Sequence, residues 1–420
     1  MAAGRRRTAA GEQPPRLAAG RRDDRPCGEP PAADDLVTAL PALAHLHVPL
    51  LKRSFNRSGS VPSLPRPSAR TPRQPRGLPK VAPRAPALPL QGAAVSGRKP
   101  WGTGIIMKIG FFLSCEEYSP QELLEQAQRA EDAGFHALWI SDHFHPWVDA
   151  QGHSPFVWSM IGALSRVTNL PITTAVTCPT VRTHPAVIAQ AAATSAVLTE
   201  GRFTLGVGSG EALNEHITGE HWPPAKVRLD MLEEAVEVIR RLWTGEDVEH
   251  YGDHYTVENA RVYTLPDTPP DIYVSGLAPN STKLAGRIGD GYISTQPDAD
   301  LLNLFRESGG AGKPTAAGAK SCFAPDRAEA VRLAHRLWPT AGVSGELSQM
   351  LPTPAHFEQA AEPVTPDMVA EKIPCGPDPQ VHRDMVAKYA QAGFDTLYVA
   401  PIGPYYTDMI ETYAKEIISR

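Results

Sequence analysis

From residue 108 onward, short runs rich in Val, Ile, Leu, Phe and Thr alternate with longer segments whose apolar residues recur at helical spacing. That alternation is the signature of a parallel sheet with crossover helices. Eight strands are predicted, at Lys108 to Leu113, Ala137 to Asp142, Ile172 to Val176, Phe203 to Gly208, Asp271 to Ser275, Gly291 to Thr295, Lys320 to Ala324 and Thr396 to Ala400. Between the first two, PQELLEQAQRAEDAGF at 120–135 carries Leu and Ala on one helical face, opened by Pro120 and closed by Gly134. The same grammar recurs in QVHRDMVAKYAQAGFDTLYVA at 380–400, where a helix closes on Gly393 and a strand follows. Eight such units in a body of roughly 310 residues predict an α/β fold, a (β/α)₈ TIM barrel. The alternative, a doubly wound open sheet, lacks a G-x-G-x-x-G after the first strand. Two longer insertions, about 247–270 and 339–366, are expected to be excursions over the barrel mouth.

Composition separates the chain into two parts. Residues 1–106 hold 18 of the 41 Lys and Arg, 6 of the 46 Asp and Glu, and 17 of the 42 prolines. The formal charge is therefore +12 in front and −17 behind. A basic arm can address nucleic acid, but these arginines alternate with Pro, Ala and Gly rather than aromatics, and too little apolar surface is present to offset chain entropy. Residues 1–106 are read as a disordered Pro/Arg-rich extension, with Met107 as the expected start of translation, so that the extension is not made. Export through the paired arginines at 5–7 and 21–22 is not expected, because LVTALPALAHLHVPLL at 36–51 is broken by two prolines and two histidines. The five cysteines, at 27, 115, 178, 322 and 375, are odd in number and contain no CxxC, so neither a disulfide framework nor a zinc site is expected. No run of about 18 apolar residues follows residue 107, which leads to the expectation of a cytoplasmic protein with no membrane or nucleic-acid partner.

In a barrel, the residues just after each strand carry the chemistry. The first strand delivers Glu116 and Glu117; the second delivers Asp142, His143 and, four residues on, Trp147. A proton carrier, an anion and a large flat wall thus share one loop. The third strand runs into Cys178-Pro179, and the fourth ends in GVGSGEALNEH at 206–216, where a glycine turn allows close backbone approach and Glu211 follows. SGLAPNS at 275–281 leads into a helix start, which could seat an anion or simply cap a loop. His143, Trp147, Glu211 and this turn all fall at strand ends, a combination suited to hydride transfer on a bound cofactor. His143 and His145 are two apart and no HExxH occurs, so no metal is expected.

These residues carry a resemblance. SDHFHPW at 141–147, CPTVRTHPAVIAQAAAT at 178–194, GVGSGEALNE at 206–215 and LAGRIGDGYI at 284–293 are similar, in order and spacing, to the luciferase-like superfamily. Within it they resemble the glucose-6-phosphate dehydrogenase-type group that uses coenzyme F420, an 8-hydroxy-5-deazaflavin. The resemblance covers nearly all of residues 107–420. It implies His143 as the base that takes the substrate hydroxyl proton, Trp147 against the reacting carbon, Glu211 at the ring nitrogen of the coenzyme, and Glu116 near the substrate. It further implies that Asp142, Ala175, Val176, Cys178, Asn214, Ser275, Gly276 and Thr295 line the coenzyme, with a cis peptide bond at Ala175-Val176.

One departure bears on the substrate. Where the sugar-phosphate enzymes of the group hold three basic side chains, this chain has Asp298, Gln359 and Lys372. Two of the three positive charges are missing, one of them reversed, which removes strong partners for a phosphate. The resemblance therefore implies an F420-dependent dehydrogenase or reductase for an alcohol/carbonyl pair other than glucose-6-phosphate. The alternatives are an FMN-dependent monooxygenase of the same superfamily and a non-catalytic cofactor-binding barrel. A homodimer is expected by analogy alone.

Overall fold

The structure, a computed structural model, describes residues 107–343 and 345–418; the expectation for residues 1–106 lies outside them. Among the described residues, ten strands and thirteen α-helices follow one another in chain order. The strands are β1 (Lys108–Leu113), β2 (Leu138–Ile140), β3 (Ile172–Thr174), β4 (Phe203–Val207), β5 (Val248–Tyr251), β6 (Thr256–Ala260), β7 (Ile272–Ser275), β8 (Gly291–Ser294), β9 (Thr315–Cys322) and β10 (Thr396–Ile402). The helices are α1 (Pro120–Asp132), α2 (Val157–Val167), α3 (Pro185–Leu198), α4 (Ala212–Glu215), α5 (Ala225–Leu242), α6 (Pro279–Ile288), α7 (Ala299–Phe305), α8 (Arg327–Leu337), α9 (Leu347–Met350), α10 (Pro354–Ala361), α11 (Pro366–Ala370), α12 (Pro379–Ala392) and α13 (Tyr406–Tyr413).

Eight strands close a parallel barrel in the order β1, β10, β9, β8, β7, β4, β3, β2, as the alternation of periods predicts. Local signals set its units. At the start of α1, Ser119 accepts from the Glu122 amide while the Glu122 side chain accepts from the Ser119 amide, a reciprocal cap that fixes where the helix begins. The turns that end α1 and α12 contain Gly134 at φ +84° and Gly393 at φ +97°, a backbone state only glycine adopts cheaply, and each leads directly into a buried Phe and a strand.

Inside the barrel, Trp139 stacks on Tyr398 with ring centroids 4.2 Å apart, and Phe112 meets Trp139 edge-on. This aromatic block explains the one strand that sequence reading misplaces. The seventh barrel strand is Thr315–Cys322 rather than 320–324, and in its opening TAAG only Thr315 is of the β-branched or aromatic type that marks a strand. Those positions are small because the space is taken: a Cβ at Gly318 would lie 2.7 Å from Trp139.

The two insertions behave differently. Segment 339–366 does cover the mouth: Phe357 of α10 packs edge-on against Trp147, and the Asp149 amide donates to Glu358. Segment 247–270 forms the antiparallel β5–β6 hairpin, held to the outer helix α5 by His250 Nε2 to Glu234 Oε1 at 2.9 Å, and between its strands the Tyr255 hydroxyl donates to the Pro179 and Thr180 carbonyls in the loop after β3. Its Val248 and Val257 are buried in the main core, so alternate apolar positions draw the hairpin against the barrel flank. No helix among the described residues is long and apolar enough to cross a membrane.

Candidate active site

The carboxyl ends of β1 and β2 converge on one buried acid. Glu116, 4% exposed, accepts from the Ser141 hydroxyl through Oε2 at 2.5 Å, and its Oε1 lies 3.4 Å from His143 Nε2. His143 is partly exposed, and its other ring nitrogen, Nδ1, lies 3.1 Å from the His145 carbonyl and 3.2 Å from Asn214 Nδ2. The Asn214 amide is oriented from behind, since its Oδ1 accepts from the amides of Phe144 and His145. A carbonyl favours a protonated Nδ1 and an amide NH₂ favours a bare one, so each ring tautomer has a partner. A proton arriving at Nε2 is therefore accommodated without moving the ring. Trp147 stands beside it, ring centroids 5.1 Å apart, and is itself packed on Phe357.

The end of β3 supplies a step in the floor. The Ala175-Val176 peptide is cis, as the resemblance implies, and both side chains are partly exposed between buried Thr174 and Thr177. Asp142 is 6% exposed, with its carboxylate taken by the Thr177 hydroxyl and by Arg182 Nη2, both at 2.8 Å. Arg182 also faces buried Glu215, whose carboxyl burial pushes up to about 7. Cys178 lies buried against the Thr180 hydroxyl, and a Cβ at Gly210 would meet its sulfur at 2.4 Å, so that glycine leaves room for the thiol. Asp142, Cys178 and Asn214 thus turn their side chains into the protein, whereas Ala175 and Val176 keep accessible surface.

On the far side Glu211, partly exposed, precedes α4. Ser275 is partly exposed and Gly276 buried; a Cβ on Gly276 would strike the backbone of Thr282 at 2.7 Å, which holds the turn tightly against α6. Thr295 is exposed, and its carbonyl accepts from the Tyr389 hydroxyl. His143, Trp147, Glu116 and Asn214 form one contiguous group; no contact joins Thr295 to it among the described residues.

A match to the luciferase-like monooxygenase family spans residues 107–396. The chain belongs to this family. It is 34% identical over 328 residues to the F420-dependent glucose-6-phosphate dehydrogenase of Beutenbergia cavernae, covering 75% of this chain and 97% of that one. The enzyme of the same description from Kribbella flavida is 35% identical over 325 residues, with 74% and 97% covered. Among solved structures, an F420-dependent secondary alcohol dehydrogenase in complex with an F420-acetone adduct has 33% identity and a TM-score of 0.69, covering 75% of this chain and 99% of that one.

Several residues and contacts near this luciferase-like site escape sequence reading. Glu117, which the first strand was expected to deliver, accepts from the Trp338 indole N–H at 2.7 Å and from the Gly403 amide, joining the ends of β1, α8 and β10. Lys320, near the end of β9, places its ammonium 4.0 Å from the centre of the Trp338 ring. Arg228 of α5 lies over Trp222 and donates to Gln349 of α9 at 2.9 Å, fastening the cover segment. These groups come from residues far apart in sequence, and no local pattern marks them.

Burial raises the Glu117 carboxyl to about 7, against the lowering effect of its two donors. The unfolded chain releases this proton near 4.5, so between about 4.5 and 7 the folded protein binds more protons. The contribution of Glu117 to stability therefore falls as pH rises through that window and is flat above it. Because its partner is an indole, the titration is visible: Trp338 emission is expected to change with a midpoint near 7, and Trp338→Phe should remove that component. A pH-independent difference spectrum between the two proteins would contradict it.

Proposed function

We propose that the chain is a coenzyme F420-dependent oxidoreductase that interconverts an alcohol and its carbonyl and does not use glucose-6-phosphate. The observation that carries the reading is His143, held between Glu116 and Asn214 beside the Trp147 wall, on the rim of a floor whose accessible part is apolar. The floor fits a flat ring: Ala175 and Val176 offer an apolar step, with Glu211 at one side and the Ser275-Gly276 turn at another. These residues would hold the coenzyme. When bound, a 5-deazaflavin supplies a two-electron hydride acceptor.

The chain's own groups divide the remaining work. His143 Nε2 takes the hydroxyl proton of the alcohol, with Glu116 as the anionic neighbour that steadies the charged ring and Asn214 and the His145 carbonyl as the partners of Nδ1. Trp147 restricts the reacting carbon to one side and excludes water from it. Glu211 supplies the proton at the ring nitrogen. The secondary alcohol dehydrogenase with its F420-acetone adduct supports an alcohol/ketone pair.

The substrate reading rests on what occupies the three departed positions. The Asp298 side chain caps α7 by accepting from the Leu301 amide, and the Lys372 ammonium donates to the Ala341 carbonyl at 2.8 Å. With Gln359 between them in sequence, these three positions offer no cluster of unspent cations for a phosphate among the described residues.

The direct test is titration of purified protein with the oxidised deazaflavin, followed by a panel of alcohols and of glucose-6-phosphate monitored by loss of deazaflavin absorbance. Saturable binding with reduction by a neutral alcohol is expected. Tight FMN binding without deazaflavin binding would sink the proposal, and turnover of glucose-6-phosphate in preference to neutral alcohols would sink its substrate half. Glu211→Gln is expected to keep coenzyme affinity while lowering turnover by about 10²-fold.

A further inference from the structure

Of the cations around the mouth, Arg182 is spent on Asp142 and Glu215, Arg228 lies over Trp222, fully buried, and donates to Gln349 through Nη2 alone, and Lys372 is fixed to the Ala341 carbonyl. Lys320 differs. It lies deep in the barrel yet keeps some accessible surface, and its ammonium makes no hydrogen bond to any described residue. Its contacts are the Trp338 ring at 4.0 Å and the electrostatic pull of Glu116 and Glu117. Neither carboxylate is available to it as a dedicated partner: Glu116 holds Ser141 and faces His143, and Glu117 holds Trp338 and Gly403. Three N–H donors are thus left unspent on a stem that Trp338 and the strand hold in place. Burial lowers the basicity of the amine, while the two carboxylates act to restore it.

We propose that Lys320 is a specificity-determining residue that donates to a second oxygen of the substrate, next to the carbon whose hydroxyl meets His143, so that the site selects vicinally dioxygenated neutral alcohols. Glu116 is the group that links the two positions, being 3.4 Å from His143 and among the carboxylates that face Lys320. The substrate is neutral because Lys320 is answered by two acids: an added carboxylate or phosphate would meet Glu116 and Glu117 as well as the ammonium. A hydroxyl or carbonyl oxygen accepts from the ammonium without that repulsion. The partly exposed indole of Trp147 suits the C–H face of such a molecule. The proposal rests on the alcohol/carbonyl reading above and narrows its substrate class.

The test pairs butane-2,3-diol with butan-2-ol, which differ in the second oxygen. Two readouts are taken: Trp338 emission during titration of the coenzyme-free protein, and KM and kcat with the deazaflavin. The wild type is expected to favour the diol by at least about 10-fold in both titration and KM, the gain of one hydrogen bond from a charged donor. Lys320→Met, which keeps the stem against Trp338, should abolish that preference through KM, so that the diol and butan-2-ol are then turned over and bound alike. Lys320→Gln, which retains a donor, should restore part of it and guards against a folding defect in the methionine variant, checked by thermal melting. An unchanged diol preference in folded Lys320→Met, or no preference in the wild type, overturns the proposal. A diol preference in the titration with no coenzyme reduction by any alcohol overturns the catalytic reading and leaves the role of Lys320 standing.

Discussion

Replacing His143 with alanine is expected to lower turnover by at least about 10²-fold, the usual contribution of a positioned general base, with coenzyme affinity and melting temperature nearly unchanged. The expectation of a clean loss follows from how the ring is held. Asn214 keeps its bonds to the Phe144 and His145 amides without the imidazole, and Glu116 keeps Ser141, so the loop and the acid stay in place. His143 is partly exposed, so its removal opens space to water rather than leaving a sealed cavity. Steady-state kinetics, a binding titration and a melt on the same sample separate the effects. Turnover within tenfold of wild type would place the base elsewhere.

The largest effect on stability is expected at Trp139→Ala. This side chain is 1% exposed, stacked on Tyr398 at 4.2 Å and met edge-on by Phe112, and Gly318 approaches it from the facing strand. Its indole N–H makes no well-formed hydrogen bond among the described residues, so packing does most of the holding. Truncation removes the centre of the aromatic block with no neighbour large enough to fill the space, at a cost of about 3–5 kcal/mol. Urea unfolding should report that loss. A change below about 1 kcal/mol would mean that the barrel repacks around the gap.

The contrast between these two residues shows what was legible beforehand. His143, Trp147, Glu116 and Glu211 lie just beyond strands that announce themselves through Val, Ile and Leu, so reading the strand ends was enough to gather them. Lys320 was not legible, for one reason: β9 opens on TAAG, whose small residues are dictated by Trp139 and Tyr398 on other strands. Starting that strand five residues late puts Lys320 at its amino end, on the wrong side of the barrel from the chemistry. In the structure it is the sixth residue of eight and stands at the mouth. The contacts of Glu117, Trp338 and Arg228 were hidden for the related reason that their partners lie up to 286 residues away. The β5–β6 hairpin announces its strands weakly, and its seat against α5 depends on a His250–Glu234 contact that periodicity does not encode.

The central claim is that an alcohol loses its C–H hydrogen as hydride to a deazaflavin held on this floor while His143 takes the hydroxyl proton. The measurement that tests it most directly uses a secondary alcohol deuterated at the carbinol carbon, with the reduced coenzyme isolated and weighed by mass spectrometry. The account predicts one deuterium per reduced deazaflavin with wild-type protein, and a rate at least about 10²-fold lower, with the label still transferred, for His143→Ala. Reduced coenzyme without deuterium, its hydrogen drawn from water, would contradict the account.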